Sequence, residues 1–289
     1  DPAGIVTYTQ AGASTGYSLL WLMFFTIPLL IAVEEITARL AVVTKKGLAS
    51  VIRDRMGSKV AIVVAILVAI ANIATIGADL GGMADVLGLL TPWPAYLFSL
   101  LFFLLFALML YRGSYASLSR YFFFLTPFFL AYVISAILAR PNWGEALKHT
   151  FNPFISEGKD IWLLAVAVLG TTLSPYLLFW QATEEVEEHK KVKDLEDEAT
   201  GVRWGMIYAN LVFYFIIVAS AGTLYATGAE IETIKDTAMA LKPLMGEFAF
   251  SFFSLGLIVS GFLAIPVLAA STAYVLADAC HWEEGLDKK

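Results

Sequence analysis

The sequence predicts an all-α polytopic membrane protein, and three observations carry that prediction. The chain is 59% hydrophobic and only 15% charged, whereas a soluble surface needs roughly 25% charged residues. Its charges are clumped, leaving apolar runs near residues 18–43, 59–78, 92–111, 121–139, 161–181, 204–226 and 245–277. Each run can cross about 30 Å of hydrocarbon as a helix. The alternating ten-residue segments of a membrane barrel are not seen.

Composition also excludes function classes. A net charge of −6 with no basic stripe argues against nucleic acid as a partner. A single cysteine, Cys280, leaves no intrachain disulfide and no thiolate cluster. His149, His189 and His281 are far apart, with no metal-binding spacing. No Gly-rich phosphate loop with a following Lys occurs, nor a nucleophile elbow or two-metal carboxylate set, so an enzyme is not expected. No basic n-region precedes the first apolar run, so the start does not read as a signal peptide. The absent initiator Met reads as a fragment or a processed product.

Residues 5–16, "IVTYTQAGASTG", are too short and polar to span alone. They are expected to form half a span, then a turn at Gly12–Gly16. If the 18–43 helix runs from outside to inside and later helices alternate, the inner side receives 14 Lys and Arg and the outer side 5, a clear positive-inside bias. The inner set includes Arg120, Lys288 and Lys289. A dozen helical residues rise about 18 Å, which puts Asp1 and Pro2 near mid-membrane, with the inner half of the first span missing. The alternative is that residues 1–16 form an outer tail.

Glu34 and Glu35 lie within the next apolar run, "LLIAVEEITARLAVV". A buried carboxylate is costly unless paired, hydrated or protonated. Arg39 follows Glu35 at i+4, so the acids either form an ion pair at the cytoplasmic end or line an inner vestibule. Asp79 either relays a proton or closes a gate, marks the outer end of its helix, or binds backbone N–H groups. Asn72 is a candidate helix cross-link, and Gly77, Gly81, Gly82 and Gly88 could permit close helix contact. Residues 141–159 read as an outer loop and 185–202 as a solvated cytoplasmic one. The 245–277 run is too long for one straight span and is expected to tilt or include interfacial turns.

The 161–181 run contains "VAVLGTTLSPYLLFWQATEEV". Pro175 has no N–H and pushes residue 174 out of helical geometry, with Gly170, Thr171, Thr172 and Ser174 crowding the same turn. Either this is an ordinary kink with threonine hydroxyls bonded back, or carbonyls near 170–171 lose their partners and face a cavity or an ion. Set beside the Asp-Pro pair, it suggests two discontinuous helices meeting at the midplane, the ion-site arrangement of secondary transporters. Asp1 would supply an anionic oxygen. Carbonyls beside Pro2 and Thr171, with the Ser174 hydroxyl, would supply neutral ones. Such a set suits a hard divalent cation, Mg²⁺ or Mn²⁺. Gln10 and Gln181 either share the permeation path or act as structural glue.

"DPAGIVTYTQAGASTGYSLLW" resembles the first-helix region of the natural-resistance-associated macrophage protein (NRAMP) family of divalent-metal transporters, through Asp1, Pro2, Gln10, Ala11, Gly12, Gly16, Tyr17, Leu19, Leu20 and Trp21. "EEITARLAVVTKKGL" is similar to the family's second-helix end, and "GTTLSPYLLFWQ" occupies the place of its sixth-helix break. The resemblance implies a LeuT-type inverted-repeat transporter fold, truncated to about helices 1b to 8. Residues 1–140 would form the first repeat and 160–289 part of the second, joined by the outer loop. It implies a multi-pass protein of the cell membrane, whose partners are the lipid bilayer and a divalent cation carried as substrate, with no cofactor.

Residue by residue, Asp1 matches the ligating aspartate, Thr171 the residue whose carbonyl helps bind metal, and Pro2 and Pro175 the prolines of the breaks. Asp79 matches a third-helix aspartate of the proton route. The departures are Gly4 for a ligating Asn, Ser174 for a ligating Met, Tyr176 for a His linked to proton movement, and Gly82 for a Glu. They resemble a divergent branch that includes Mg²⁺ carriers. The expected function is inward secondary transport of a divalent cation by alternating access. The alternatives are an amino-acid or organic-solute transporter of the same fold, and a non-transporting membrane fragment or scaffold.

Overall fold

The computed structural model describes residues 1–112, 124–153, 159–228, 231–280 and 282. Arg120, His281, Lys288, Lys289 and the start of the 121–139 run lie outside the described residues. Every regular element described is helical. In order these are α1 (Pro2–Thr15), α2 (Leu20–Thr44), α3 (Leu48–Met56), α4 (Ser58–Leu90) and α5 (Ala95–Arg112). A 3₁₀ turn at Thr126–Phe129 then leads into α6 (Leu130–Leu138), followed by α7 (Trp143–Phe151), α8 (Lys159–Thr172), α9 (Pro175–Glu187), α10 (Leu195–Thr223) and α11 (Ile234–Cys280). Among the described residues six candidate spans are long and apolar enough to cross a membrane, with α8 and α9 sharing one.

Helix α1 is the hub. Ile5, Tyr8, Ala11 and Ala13 are buried, and the helix packs on α4, α8, α10 and α11. Lipid tails supply no hydrophobic drive between helices, so close approach of small residues matters most. A Cβ on Gly12 would lie 2.5 Å from the Ile217 carbonyl oxygen of α10, so only glycine permits this crossing. The sequence put a turn at Gly12–Gly16. The helix instead runs through Gly12, and the reversal starts at Gly16, which adopts a left-handed φ of 59°. The opposite faces of α4 and α5 present Leu67, Ile70, Ile73, Leu100 and Phe103 outward, as a bilayer requires.

Other elements depart from expectation for identifiable reasons. Helix α4 does not stop near residue 78 but continues to Leu90. Gly82 is packed under Ile234 and Gly88 against Ala95, while Gly77 and Gly81 have nothing near them. Residues 141–159 contain a helix, α7, with Asn142 capping its N-terminus through Glu145 N–H. Helix α11 is continuous over 47 residues, about 70 Å, and its apolar crossing segment is Phe253–Cys280. Glu35 pairs with Arg203 of α10 at 2.6 Å rather than with Arg39. Asn72 does cross-link helices: its amide donates to the Thr272 hydroxyl of α11 at 2.9 Å.

Candidate functional site

The site is built where α1 begins and α8 gives way to α9. Asp1 is the N-cap of α1 with Pro2 at the first helical position, the pairing that helix starts favour. One oxygen of Asp1 accepts the Gly4 N–H. The neighbouring Ala3 N–H is taken by Asp79 Oδ1 of α4 at 2.9 Å. Two carboxylates thus satisfy the first turn of one helix, where the exposed N–H groups and the helix dipole favour negative charge. Asp79 is fully buried, and its second oxygen has no hydrogen-bond partner among the described residues. It therefore binds backbone N–H from mid-helix and does not mark a helix end.

Helix α8 stops at Thr172 and α9 starts at Pro175. The Thr171 carbonyl would bond the N–H of residue 175, which a proline lacks. Ser174 covers the loss: its hydroxyl donates to the Thr171 carbonyl at 2.8 Å and to the Gly170 carbonyl at 3.4 Å. Tyr176, in the first turn of α9, donates its hydroxyl to Asp1 Oδ2 at 3.4 Å, and its own carbonyl accepts from Ser271 of α11 at 3.2 Å. Gly4 fixes the distance between the start of α1 and the α8–α9 break. A Cβ there would lie 2.8 Å from Thr171 Oγ1 and 2.9 Å from Asp1 Oδ1, so both oxygens border the space a larger residue would fill.

Asp1, Gly4, Ile5 and Tyr8 line one cavity of about 330 Å³, with Thr171, Thr172 and Tyr176 on the facing side. Positions 1, 4, 5 and 8 form one helical face. Tyr8 escaped sequence reasoning, although it lies two turns from Asp1 on that face; Thr172, named there only as crowding the Pro175 turn, is its partner. Their hydroxyls are 2.9 Å apart, and Thr172 donates to the Val168 carbonyl, so Tyr8 is the donor between them. Ser174 does not line the cavity, because its hydroxyl faces the carbonyls. Met206 of α10 is the thioether in the lining. Among the described residues no group of three acidic, histidine or cysteine side chains gathers as a metal cluster. Of the two carboxylates at the start of α1 only Asp1 lines the cavity, and hydroxyls and carbonyls supply the other oxygens near the α8–α9 break.

The remaining candidates lie further off. Glu34 of α2 is buried, one oxygen has no partner among the described residues, and it is within electrostatic reach of Glu184 on α9. Gln181 donates to Glu185 at 2.7 Å on the same helix. Gln10 is half-buried on α1. Ile234 fills the space above Gly82, its Cδ1 lying 1.8 Å from where a Cβ would sit.

The start of α1 faces the α8–α9 break across one cavity, in a fold of LeuT-type architecture that defines a multi-pass membrane protein. The family model described as natural resistance-associated macrophage protein-like (Nramp) matches residues 1–289. The chain belongs to that family. It is 26% identical over 284 residues to the divalent metal cation transporter MntH of Caldanaerobacter subterraneus subsp. tengcongensis, covering 94% of this chain and 67% of that protein. It is 29% identical over 274 residues to MntH of Klebsiella pneumoniae subsp. pneumoniae, covering 90% and 64%. Its fold matches the crystal structure of the Eremococcus coleocola manganese transporter with a TM-score of 0.70 at 20% identity, over 99% of this chain and 64% of that one. The chain therefore spans about two thirds of the length of these relatives.

Proposed function

We propose that this chain holds the substrate site of a secondary transporter that carries a divalent metal cation into the cytoplasm by alternating access, with Mg²⁺ or Mn²⁺ favoured. One observation carries this reading: the Asp1 carboxylate opens onto the break at Thr171–Pro175 inside a shared cavity. Relatives that are divalent metal cation transporters support the same class of cargo. Oxygen donors at the breaks favour a hard ion over Cd²⁺. An arriving ion would meet Asp1 first and then draw the Thr171 carbonyl away from Ser174. Residues 1–140, as the first repeat, and 160–289, as part of the second, rock about this point. Glu34, Gln181 and Glu185 lead the ion inward, Gln10 lies on the outer approach, and Asp79 and Tyr176 flank the site as coupling residues.

The cavity's size favours a second reading. About 330 Å³ lined by Tyr8, Phe129, Tyr132 and Phe213 is room for an organic solute such as an amino acid. Calorimetry with Mg²⁺ and Mn²⁺ against an amino-acid panel separates the two. For the metal reading, Asp1→Ala in the full-length protein is expected to abolish saturable Mn²⁺ uptake while membrane insertion persists. Unchanged uptake kinetics would remove Asp1 from the site.

A further inference from the structure

A second, smaller chamber of about 10 Å³ lies among α1, α6, α10 and α11, lined by Thr9, Tyr132, Ser135, Ile216, Ser220 and Phe253, with Ala219 completing it. Thr9, Tyr132 and Ser135 are at most 2% exposed, and none of their hydroxyl oxygens has a hydrogen-bond partner among the described residues. This is contrary to the habit of this protein. Thr26, Thr150, Thr172, Thr183 and Ser220 all return their hydroxyls to the carbonyl four residues back, as helical Ser and Thr can. Thr9 and Ser135 do not, so their hydroxyls are available to the chamber. Tyr132 is held there by close packing, since a Cβ on Gly256 would lie 2.8 Å from its ring.

We propose that this chamber is a binding site for one water molecule, bridging Thr9 of α1 to Tyr132 and Ser135 of α6. The volume is that of one water-sized sphere, and a buried water needs two to four polar partners. Each hydroxyl both donates and accepts, which a water matches. A cation would use only their oxygens, and no carboxylate lines the chamber to neutralise it. Leaving buried hydroxyls unmet is costly. Tyr132 and Ile216 also line the large cavity and form the partition through which this water exchanges. The bridge is thus a tie that can be remade between α6 and the helix that carries Asp1.

The test uses the full-length protein with Thr9→Val, Ser135→Ala and the double variant. Each single change is expected to lower the thermal midpoint by about 2–4 °C. The pair should lose no more than the larger single, because both act through the same water. A map at about 2 Å should place an oxygen within hydrogen-bond reach of all three hydroxyls, and Tyr132→Phe should weaken it. Additive losses, or variants more stable than the parent, would mean a dry chamber and overturn the proposal. A midpoint raised by NaCl but not by choline chloride, and lost in Ser135→Ala, would mean a cation site and overturn it equally.

Discussion

Asp1 and Ser174 hold the same position at the starts of two helices, yet they face opposite ways. Each is an N-cap followed by proline at the first helical position. Asp1 turns forward and accepts an N–H of its own helix, whereas Ser174 makes no forward cap and turns back to the carbonyls of α8. The residue type decides the direction. A carboxylate can only accept and belongs with N–H groups, while a hydroxyl can donate and so can quiet the carbonyls that Pro175 leaves unpaired. The consequence is a site with a charge on one side and a releasable dipole on the other. On the proposed function, an ion there would have to compete with the α1 N-terminus for Asp1 and with Ser174 for the Thr171 carbonyl.

The comparison can be broken from either side. The largest structural effect is expected at the forward-facing end. Asp79→Leu orphans the Ala3 N–H and should destabilise the protein by about 1–3 kcal/mol, whereas Asp79→Asn keeps an acceptor and should cost less; thermal unfolding of both measures the gap. Equal losses would mean that Asp79 does not serve as an acceptor. At the backward-facing end, Ser174→Ala removes the competitor for the Thr171 carbonyl. It should tighten Mn²⁺ binding by about the worth of one hydrogen bond, ~1 kcal/mol or a few-fold in affinity, and weaker binding would instead make the Ser174 hydroxyl a ligand.

A control lies away from both breaks. Lys190 pairs with Glu188 at 2.9 Å and with Glu198, and their hydrogen bonds raise its ammonium above the ordinary lysine range. The raised value means that the pair's stability is fully present below about pH 10 and fades only above it. Lys190→Met should therefore cost at most about 1 kcal/mol, constant from pH 6 to 9 in unfolding experiments.

How much of this was legible depended on the range of the interaction. Six of the seven apolar runs correspond to spans among the described residues, while the described part of the 121–139 run forms only the shorter apolar helix Thr126–Leu138; Pro175 with its small neighbours marked the α8–α9 break, because these signals are local. Helix α4 was cut short in the sequence reading because Gly77, Asp79 and Gly81 resemble a helix end in water. In a membrane, glycine is common inside spans, and Asp79 has a partner on α1. Arg39 was the sequence neighbour of Glu35, but Arg203 on α10 reached it first. The direction of Ser174 was not legible at all, since Ser-Pro is compatible with a hydroxyl turned either way. Thr9 and Ser135 carry no sequence signal of their own, because only packing sets them around one chamber with Tyr132.

The most direct measurement is calorimetric titration of the full-length protein and its Asp1→Asn variant with Mn²⁺. Asparagine keeps the helix cap and removes only the charge. Binding should weaken more than tenfold, over 1.4 kcal/mol, with the thermal midpoint nearly unchanged. Equal affinity in the two proteins would contradict a cation site built on that carboxylate.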